Sequence, residues 1–248
     1  MTTTPQPPRS RRERPAKPPL SRAGIIGAAV AIMRAEGLEK VTMRRLAQEL
    51  DTGPASLYVY VRNTAELHAA ILDELLGGID LGPAEGHGDW RGRLERILTD
   101  YTAMLFELPG LARSALSARP GGPHYLNLIE ALLALLDEGA VPPGQAAWGV
   151  DVLLQFATAT AAEHATRGQS GRAGADWDAL TRALHGASPD THPQIAALAA
   201  PLISGAPEQR LAWGFHVLLN GILHTPTPVA PAHHGPPPRP EPTPGDSR

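Results

Sequence analysis

Two of the chain's four tyrosines, Tyr58 and Tyr60, lie close together, and three arginines stand near them in the sequence: Arg44, Arg45 and Arg62. A tyrosine that faces solvent offers its ring to a thymine methyl group and its hydroxyl to a phosphate, while arginine pairs with phosphates and with guanine. This combination is chemically suited to double-stranded DNA. The alternative is that both tyrosines are half-buried core residues.

The tyrosines belong to the stretch PASLYVYV at residues 54–61, whose valines and tyrosines are individually strand formers. The sequence nevertheless predicts a helix, because a strand would have no partner nearby and Pro54 suits a first helical position. As a helix, the stretch places Leu57 and Val61 four residues apart on an inner face. Residues 58–60 then lie on its sides and outer face.

Three further helices are predicted around this stretch. Ser21 caps a long first helix, Thr42 caps a short second one, and the sequence DTG at residues 51–53 ends the second helix. A fourth helix begins at Asn63, which forms a capping-box pattern with Glu66. Two short helices joined by a three-residue turn and packed on a longer helix form a helix-turn-helix, whose second short helix enters the major groove of DNA.

The charge distribution separates two parts of the chain. Residues 1–64 carry eleven basic and five acidic side chains, whereas residues 65–248 carry eleven and twenty, although the formal net charge is only −3. The first part is therefore suited to an anionic partner. The sequence has no cysteine, which excludes thiolate metal sites and cysteine nucleophiles, and no apolar run long enough for a membrane span. We expect a cytoplasmic protein without a membrane partner.

Both ends of the sequence are rich in proline, and we expect residues 1–19 and 225–248 to be disordered tails. The N-terminal tail is basic and has the composition of an arm that reaches DNA, although a solubilising tail is the favoured interpretation. Between the tails, residues 20–79 are predicted to form the helix-turn-helix domain and residues 80–224 a second helical domain. The predicted fold class is all-α.

The second domain begins with a glycine-rich linker at residues 82–88. Helical periodicity predicts further helices at residues 89–106, 111–117, 123–138, 143–167, 177–184, 193–199 and 207–224. Residues 168–176 and 186–193 are predicted to be surface loops.

Residues 20–79 strongly resemble the DNA-binding domain of the TetR family of bacterial transcription regulators, and within that family the tetracycline-repressor branch. The resemblance rests on the A…EG ending of the first helix, on VTMRRLAQEL at residues 41–50, and on SLYVYVRN at residues 56–63 with a leucine-rich helix after it. It implies a homodimeric DNA-binding regulator whose C-terminal domain binds a small-molecule effector.

The resemblance also implies roles for individual positions. Thr42, Ser56 and Tyr58 match positions that contact phosphates, and Arg44 matches a position that reads a base edge. Four further residues occupy positions that face the groove and vary with the operator: Pro54, Ala55, Val59 and Tyr60.

One position departs from the family pattern. Many relatives carry lysine at the start of the fourth helix, where this chain has Thr64, so one charged contact with the DNA backbone is missing. Arg62 is the nearest residue that can replace it.

For the C-terminal domain the resemblance implies a dimer formed by the last two long helices. The small residues ATATAA at 157–162 let helices approach closely, and the last helix has an apolar series at helical spacing, formed by Leu211, Phe215, Leu218, Leu219 and Ile222. A single recognition helix gives too few contacts for specific binding, which favours a dimer on a palindromic operator. The alternative is that both helices pack inside one subunit.

The same domain is expected to hold a largely apolar ligand pocket. The candidate lining residues, each of which is more often an ordinary core residue, are Tyr101, Leu105, Leu116, Leu128, Phe156 and His164. The tetracycline repressor uses a histidine in the region that corresponds to residues 100–118, where this chain has none, so tetracycline is a poor candidate ligand. The histidines show no metal-binding spacing, and no metal or cofactor is predicted.

An enzyme is the competing class, but the sequence has no phosphate-binding loop, zinc-protease motif or serine-hydrolase motif. A helical interaction protein without DNA binding would leave the basic first part and the two tyrosines unexplained. The sequence therefore predicts a ligand-responsive homodimeric repressor of its own or neighbouring genes, in which the effector shifts the fourth helix. A transcriptional activator of the same fold remains an alternative.

Overall fold

The computed structural model describes residues 19–117, 120–169 and 173–228. Within these ranges the regular structure is helical and contains no strand, which confirms the predicted all-α class. The N-terminal part contains α1 (Arg22–Glu36), a 3₁₀ turn (Leu38–Lys40), α2 (Met43–Glu49), α3 (Pro54–Leu57) and α4 (Thr64–Leu76). The C-terminal part contains α5 (Gly82–Glu85), α6 (Trp90–Glu107), α7 (Pro109–Ala115), α8 (Pro123–Glu138), α9 (Pro143–Gln169), α10 (Ala173–His185), α11 (Pro193–Ile203) and α12 (Pro207–His224).

Side-chain caps fix the starts of three N-terminal helices. Ser21 Oγ accepts the N–H of Gly24, Thr42 Oγ1 accepts the N–H of Arg45, and Asn63 Oδ1 accepts the N–H of Glu66. Each bond satisfies a backbone donor that has no partner inside its own helix. The predicted helix starts are confirmed.

The capping box predicted at α4 is only half formed. The Glu66 carboxylate does not return to the backbone of Asn63 but accepts the backbone N–H of Arg62 through Oε2, at 3.0 Å. The carboxylate therefore secures the residue before the cap, and the junction between the recognition segment and α4 is held from both sides.

The recognition segment is helical over a shorter length than predicted. Pro54 begins α3 as expected, but the helix ends at Leu57, and residues 58–60 form a turn. Two amides, those of Tyr60 and Val61, both donate to the Leu57 carbonyl, so the chain tightens there. The β-branched valines of this segment lower its helix propensity, which accounts for the early end. The predicted inner face is confirmed, since Leu57 and Val61 are fully buried.

The C-terminal domain is built around α9, which packs against α6, α7, α8 and α12. Helices α10 and α11 pack mainly against each other. The predicted loop at residues 168–176 is too long, because α9 continues to Gln169 and α10 begins at Ala173. The predicted helix at residues 193–199 is too short, because α11 continues to Ile203 with Pro201 in its last turn.

The glycine-rich segment after α4 is an ordered connection rather than a loose linker. It contains α5, and the buried guanidinium of Arg93 donates to the carbonyls of Pro83, Gly86 and Gly88 at 2.6–3.2 Å. Arg93 also pairs with Glu138 at the end of α8. A buried arginine is stable here because its charge is paired and both of its terminal nitrogens donate hydrogen bonds, although Nε is buried without a hydrogen-bond partner in the described residues.

The two predicted tails lie almost entirely outside the described residues, and so does the role considered for the basic N-terminal arm. No helix in the described part of the chain is long and apolar enough to cross a membrane.

Candidate DNA-binding surface and ligand cavity

The outer surface of the helix-turn-helix is formed by the beginning of α3 and the turn after it. Pro54, Ala55 and Ser56 are exposed at the N-terminal end of α3. Tyr58 is 51% exposed and Val59 is 81% exposed, although they stand between two fully buried residues. The buried neighbours hold the backbone in place while these two side chains project into solvent. This arrangement suits contact with a groove of DNA.

Tyr60 does not share that exposed position, in contrast to the prediction that both tyrosines project outward. Its ring is half-buried, and its hydroxyl donates to the Leu20 carbonyl at 2.9 Å. The hydroxyl thereby ties the recognition turn to the beginning of α1. Tyr60 is held as a structural residue, and its hydroxyl is not directed at a DNA partner.

The neighbouring arginines of α2 have different environments. Arg44 is exposed, and its side chain forms no hydrogen bond or ion pair within the described residues. The Arg45 guanidinium instead pairs with Glu36 Oε1 of α1 at 2.7 Å and with Glu49 Oε2 of α2 at 2.8 Å. The hydrogen bond from Arg45 lowers the pKa of the Glu36 carboxyl. Arg45 therefore joins α1 to α2 through its ion pairs, whereas the Arg44 side chain projects into solvent.

Three other predicted contact residues, Arg62, Thr42 and Thr64, are also exposed. The Arg62 Nε lies 3.0 Å from Glu66 Oε2, while the side chain stays 86% exposed. The backbone hydrogen bond from Arg62, together with its side-chain bond, lowers the pKa of the Glu66 carboxyl. Thr42 and Thr64 are exposed at the starts of α2 and α4. The remaining predicted contact residues are therefore exposed, as contact with DNA requires.

A small, partly open cavity of about 70 Å³ lies where α4 meets α6, α7, α8 and α9 of the C-terminal domain. Its polar end is formed by the hydroxyls of Tyr101 and Thr158, which are 2.7 Å apart and buried. Burial raises the pKa of Tyr101 to about 12, so the phenol is protonated at neutral pH. The cavity is lined by Leu72, Tyr101, Ala115, Leu116, Pro120, Tyr125, Asp151, Leu154, Gln155 and Thr158.

Only two of the six predicted pocket residues, Tyr101 and Leu116, line this cavity. Leu105 and Leu128 are buried in the hydrophobic core. Phe156 packs edge-on against Phe215 of α12, and the ring of the exposed His164 lies 4.7 Å from that of Phe106 in a tilted arrangement. These four residues serve helix packing, which is the ordinary role that the sequence analysis left open.

The lining residues that the sequence analysis missed include a regular series on α9. Asp151, Leu154, Gln155 and Thr158 recur at spacings of three and four residues and therefore share one face of the helix. The recurrence of polar residues on one face of a long helix is the sequence feature that could have identified these lining residues. Nothing in the sequence indicates that Leu72 of α4 reaches the same cavity.

A larger open cleft of about 780 Å³ separates the end of α1 and the 3₁₀ turn from the ends of α4 and α6. It lies between the two domains, and its lining includes the acidic residues Glu39, Asp80, Asp100 and Glu107. No group of histidine, aspartate or glutamate that could hold a metal ion is present among the described residues.

The last two long helices, α9 and α12, pack against each other within the chain. Gly149 lies against Ile222, and Gly214 lies against Phe156, so a Cβ at either glycine would meet the opposite side chain. Leu211, Phe215 and Leu219, predicted to face a second subunit, are buried in the chain's own core. The exposed apolar residues of these helices are instead Trp148, Val152, Trp213 and Val217.

Comparison with known proteins places both domains in one family. The family model described as tetracyclin repressor-like, C-terminal domain, matches residues 82–225, and the model for bacterial regulatory proteins of the tetR family matches residues 25–71. The crystal structure of the Streptomyces transcription regulator SCO7704 is 59% identical, with a TM-score of 0.73 over 86% of this chain and 99% of that chain.

The TetR family protein ActR of Streptomyces coelicolor, solved in complex with actinorhodin, is 32% identical, with a TM-score of 0.73 over 83% of this chain and 96% of that chain. The transcriptional repressor DrrR1 of Streptomyces coeruleorubidus is 38% identical over 51% of this chain, an alignment that spans 47% of the repressor's own length. The chain thus spans about half the length of the curated relatives it matches. Together with the helix-turn-helix and the α9–α12 pair, these matches establish that the chain belongs to the tetR family of bacterial regulatory proteins.

Proposed function

We propose that this protein is a homodimeric, ligand-responsive repressor that binds a palindromic operator. The observation that carries the proposal is the exposure of Tyr58 and Val59 on a segment whose neighbours, Leu57 and Val61, are fully buried. An exposed valine beside an exposed tyrosine suits contact with thymine methyl groups and phosphates. Family membership and the repressor relatives support the same function.

Two classes of DNA contact follow from the surface. Arg44, which has no partner within the described residues, is assigned to a base edge, where arginine pairs with guanine. Thr42, Ser56, Tyr58 and Arg62 are assigned to phosphates, and Pro54, Ala55 and Val59 to the floor of the groove. Phosphate contacts fix the position of the protein on DNA, and base contacts select the sequence.

The dimer is assigned to the outer face of α9 and α12. Trp148 is 59% exposed and Trp213 is 68% exposed, and each has an exposed valine one helical turn further on. Large apolar side chains clustered on a helix pair are typical of an interface. Light scattering on the intact protein tests this assignment. Trp213→Glu should shift the mass toward that of a monomer, and Trp177→Glu on α10 should not. A monomeric wild-type protein at micromolar concentration would refute the dimer.

The effector is assigned to the cavity beside Tyr101 and Thr158. The structure of the TetR family protein ActR in complex with actinorhodin provides a precedent for a small-molecule ligand in a similar protein. Here the apolar wall suits an aromatic ring system, and the two buried hydroxyls suit a carbonyl or hydroxyl of the ligand. Titration with actinorhodin as the probe, monitored by tryptophan fluorescence, tests the class of ligand, and Thr158→Val should weaken binding if the hydroxyl contacts the ligand.

Gel-shift assays against the DNA upstream of this gene and its neighbours test the central proposal. We expect the protein to bind one intergenic fragment in preference to the others. The logarithm of the binding constant should fall linearly with the logarithm of the salt concentration. Transcription from that fragment in vitro should decrease when the protein is added, and an increase would indicate an activator. Absence of binding to every fragment at low salt would refute the proposed function.

A further inference from the structure

Helix α4 connects the recognition surface to the ligand cavity. It begins immediately after the recognition turn, at the Asn63 cap, and it packs against α1 on one side and against α7 and α8 on the other. Leu72 of α4 lines the cavity. A change in the cavity therefore has a direct structural route to the recognition segment, and the contacts that hold α4 against the cavity wall determine whether the change is transmitted.

One of these contacts is made by the next residue, Asp73. Its side chain is buried, and Oδ1 accepts the backbone N–H of Tyr125 in the first turn of α8, at 2.9 Å. The other carboxylate oxygen lies against Gly122, the N-cap of α8, so closely that a Cβ on Gly122 would overlap it. A carboxylate at this position also suits the partial positive charge of a helix N-terminus. Asp73 thus binds the start of α8 from the side of α4.

The segment that Asp73 holds is part of the cavity wall. Pro120 and Tyr125 line the cavity from the start of α8, and Leu72 lines it from α4. The cavity volume is about 70 Å³, whereas sites for drug-sized ligands measure roughly 300–1,000 Å³. A ligand of that size can be buried here only if part of the lining moves. The α8 start is the part that is hydrogen-bonded to α4.

We propose that Asp73 is the positioning residue that couples ligand occupancy of the cavity to the orientation of α4. When a ligand displaces the start of α8, the hydrogen bond from Tyr125 to Asp73 transfers the displacement to α4 and so to the recognition segment. The proposal rests on the proposed function of the cavity and the DNA-binding surface. It adds the residue pair, Asp73 and Gly122, through which the two sites communicate.

A double-mutant cycle tests the contact itself. Gly122→Ala alone should lower stability, because the added Cβ and the Asp73 carboxylate cannot occupy the same space. The backbone is not the cause, since Gly122 has φ −88°, which any residue adopts. In an Asp73→Ala background the same glycine substitution should therefore have little effect. If the two substitutions are additive in denaturant unfolding, the contact between Asp73 and Gly122 is absent and the proposal is wrong.

Hydrogen exchange of the full chain, measured with and without bound operator DNA, tests transmission without any knowledge of the ligand. Coupling between two sites is reciprocal, so operator binding should change exchange in residues 120–128 if it reaches the cavity wall. We expect a change of about fivefold or more in the wild-type protein, the lower end of typical allosteric coupling, and little change in Asp73→Ala. Asp73→Asn keeps an acceptor oxygen and should retain most of the response.

Glu74→Ala provides a matched control, because Glu74 is the next residue of α4 and is exposed. It should leave the operator-dependent exchange unchanged. A wild-type protein that binds operator with no change in residues 120–128 would overturn the proposal, and so would an unchanged response in Asp73→Ala. Failure of the proposed function is a different result: no operator fragment is bound at all, which removes the DNA-binding assignment and the transmission with it.

Discussion

The recognition surface and the ligand cavity differ in how far each is formed before a partner arrives. At the recognition surface, two fully buried residues fix the backbone, and Tyr58 and Val59 project from it in their final exposed positions. The cavity has a volume of about 70 Å³, and it has to enlarge before a drug-sized molecule can enter. On the proposed function, the first region binds DNA with its side chains already in place, and the second rearranges when a ligand is buried in it.

This difference has a functional consequence. A prepared surface loses little conformational entropy on binding, so its contacts contribute fully to operator affinity. A wall that must be displaced makes ligand binding depend on the conformation of its neighbours, which is the requirement for coupling between two sites. A substitution at the recognition surface should therefore change either stability or DNA binding, but not both. A substitution near α4 should change both.

The largest expected effect comes from the pair Leu57 and Val59, two residues apart on the same segment. Leu57→Ala removes a fully buried side chain and should lower the free energy of unfolding by ~2–5 kcal/mol. Val59→Ala removes an exposed one and should change stability by less than about 0.5 kcal/mol, while altering operator preference. Denaturant unfolding and gel shifts on both variants check this. Equal losses of stability would contradict a surface held by Leu57.

Arg44 and Arg45 give a second matched pair. Arg44→Ala should reduce operator affinity by ~1–3 kcal/mol and relax selectivity at one base pair, because it removes a base contact. Arg45→Ala should leave base selectivity unchanged, because the Arg45 guanidinium is engaged with Glu36 and Glu49. Binding to a set of operators with single base changes distinguishes the two. Loss of selectivity in Arg45→Ala would show that the ion pairs open on DNA.

The sequence predicted the helices of the N-terminal domain and their caps well because these features are local. Ser21, Thr42 and Asn63 each bond to an amide three residues away. The sequence did not predict the environment of Tyr60, because its partner, Leu20, is 40 residues away and is brought close only by packing. For Arg45, the pairing with Glu49 follows the local i,i+4 spacing, whereas the pairing with Glu36 depends on how α1 packs against α2. Periodicity shows that a residue is on the outside of a helix but not which neighbour it meets.

The cavity was predicted less well for the same reason. Its wall combines residues of five helices, and four of the six predicted lining residues pack elsewhere. Aromatic residues were chosen by type, yet Phe156 packs on α12, whereas the smaller Thr158, two residues further along α9, faces the cavity. Which face of α9 lines the cavity depends on how α6, α7 and α8 surround it, and no short sequence pattern encodes that arrangement.

The two tyrosines of the recognition segment give a smaller, symmetrical test. Tyr58→Phe should weaken binding to all operators alike by about 1 kcal/mol, because it removes a phosphate contact, and should leave stability unchanged. Tyr60→Phe should lower stability by a similar amount, because the Leu20 carbonyl loses its donor. Gel shifts and thermal unfolding of both variants provide the measurement. If Tyr58→Phe binds as the wild type does, its hydroxyl is not a DNA contact.

The smallest expected effect is a pH dependence confined to the α4–α7 contact. His68 of α4 has Nδ1 2.9 Å from Ser114 Oγ of α7, and its Nε2 is buried without a hydrogen-bond partner in the described residues. Burial lowers the pKa of His68 below its ordinary value of 6.5. As the pH falls through that value, the unfolded chain binds a proton that the folded protein does not, so stability decreases with acidification until the folded pKa is also passed.

Denaturant unfolding at about pH 7.5 and about pH 5.5 measures this loss, with His68→Gln as the control that cannot titrate. The wild-type protein should lose more stability than the control over this interval, and the two should show the same dependence at higher pH. Residues 1–67 contain no histidine, so the recognition surface has no comparable group of its own. An acid-dependent loss of operator binding that disappears in His68→Gln would therefore originate at the contact between α4 and the C-terminal domain. A loss equal in both proteins would assign the effect to other groups and exclude His68 as its source.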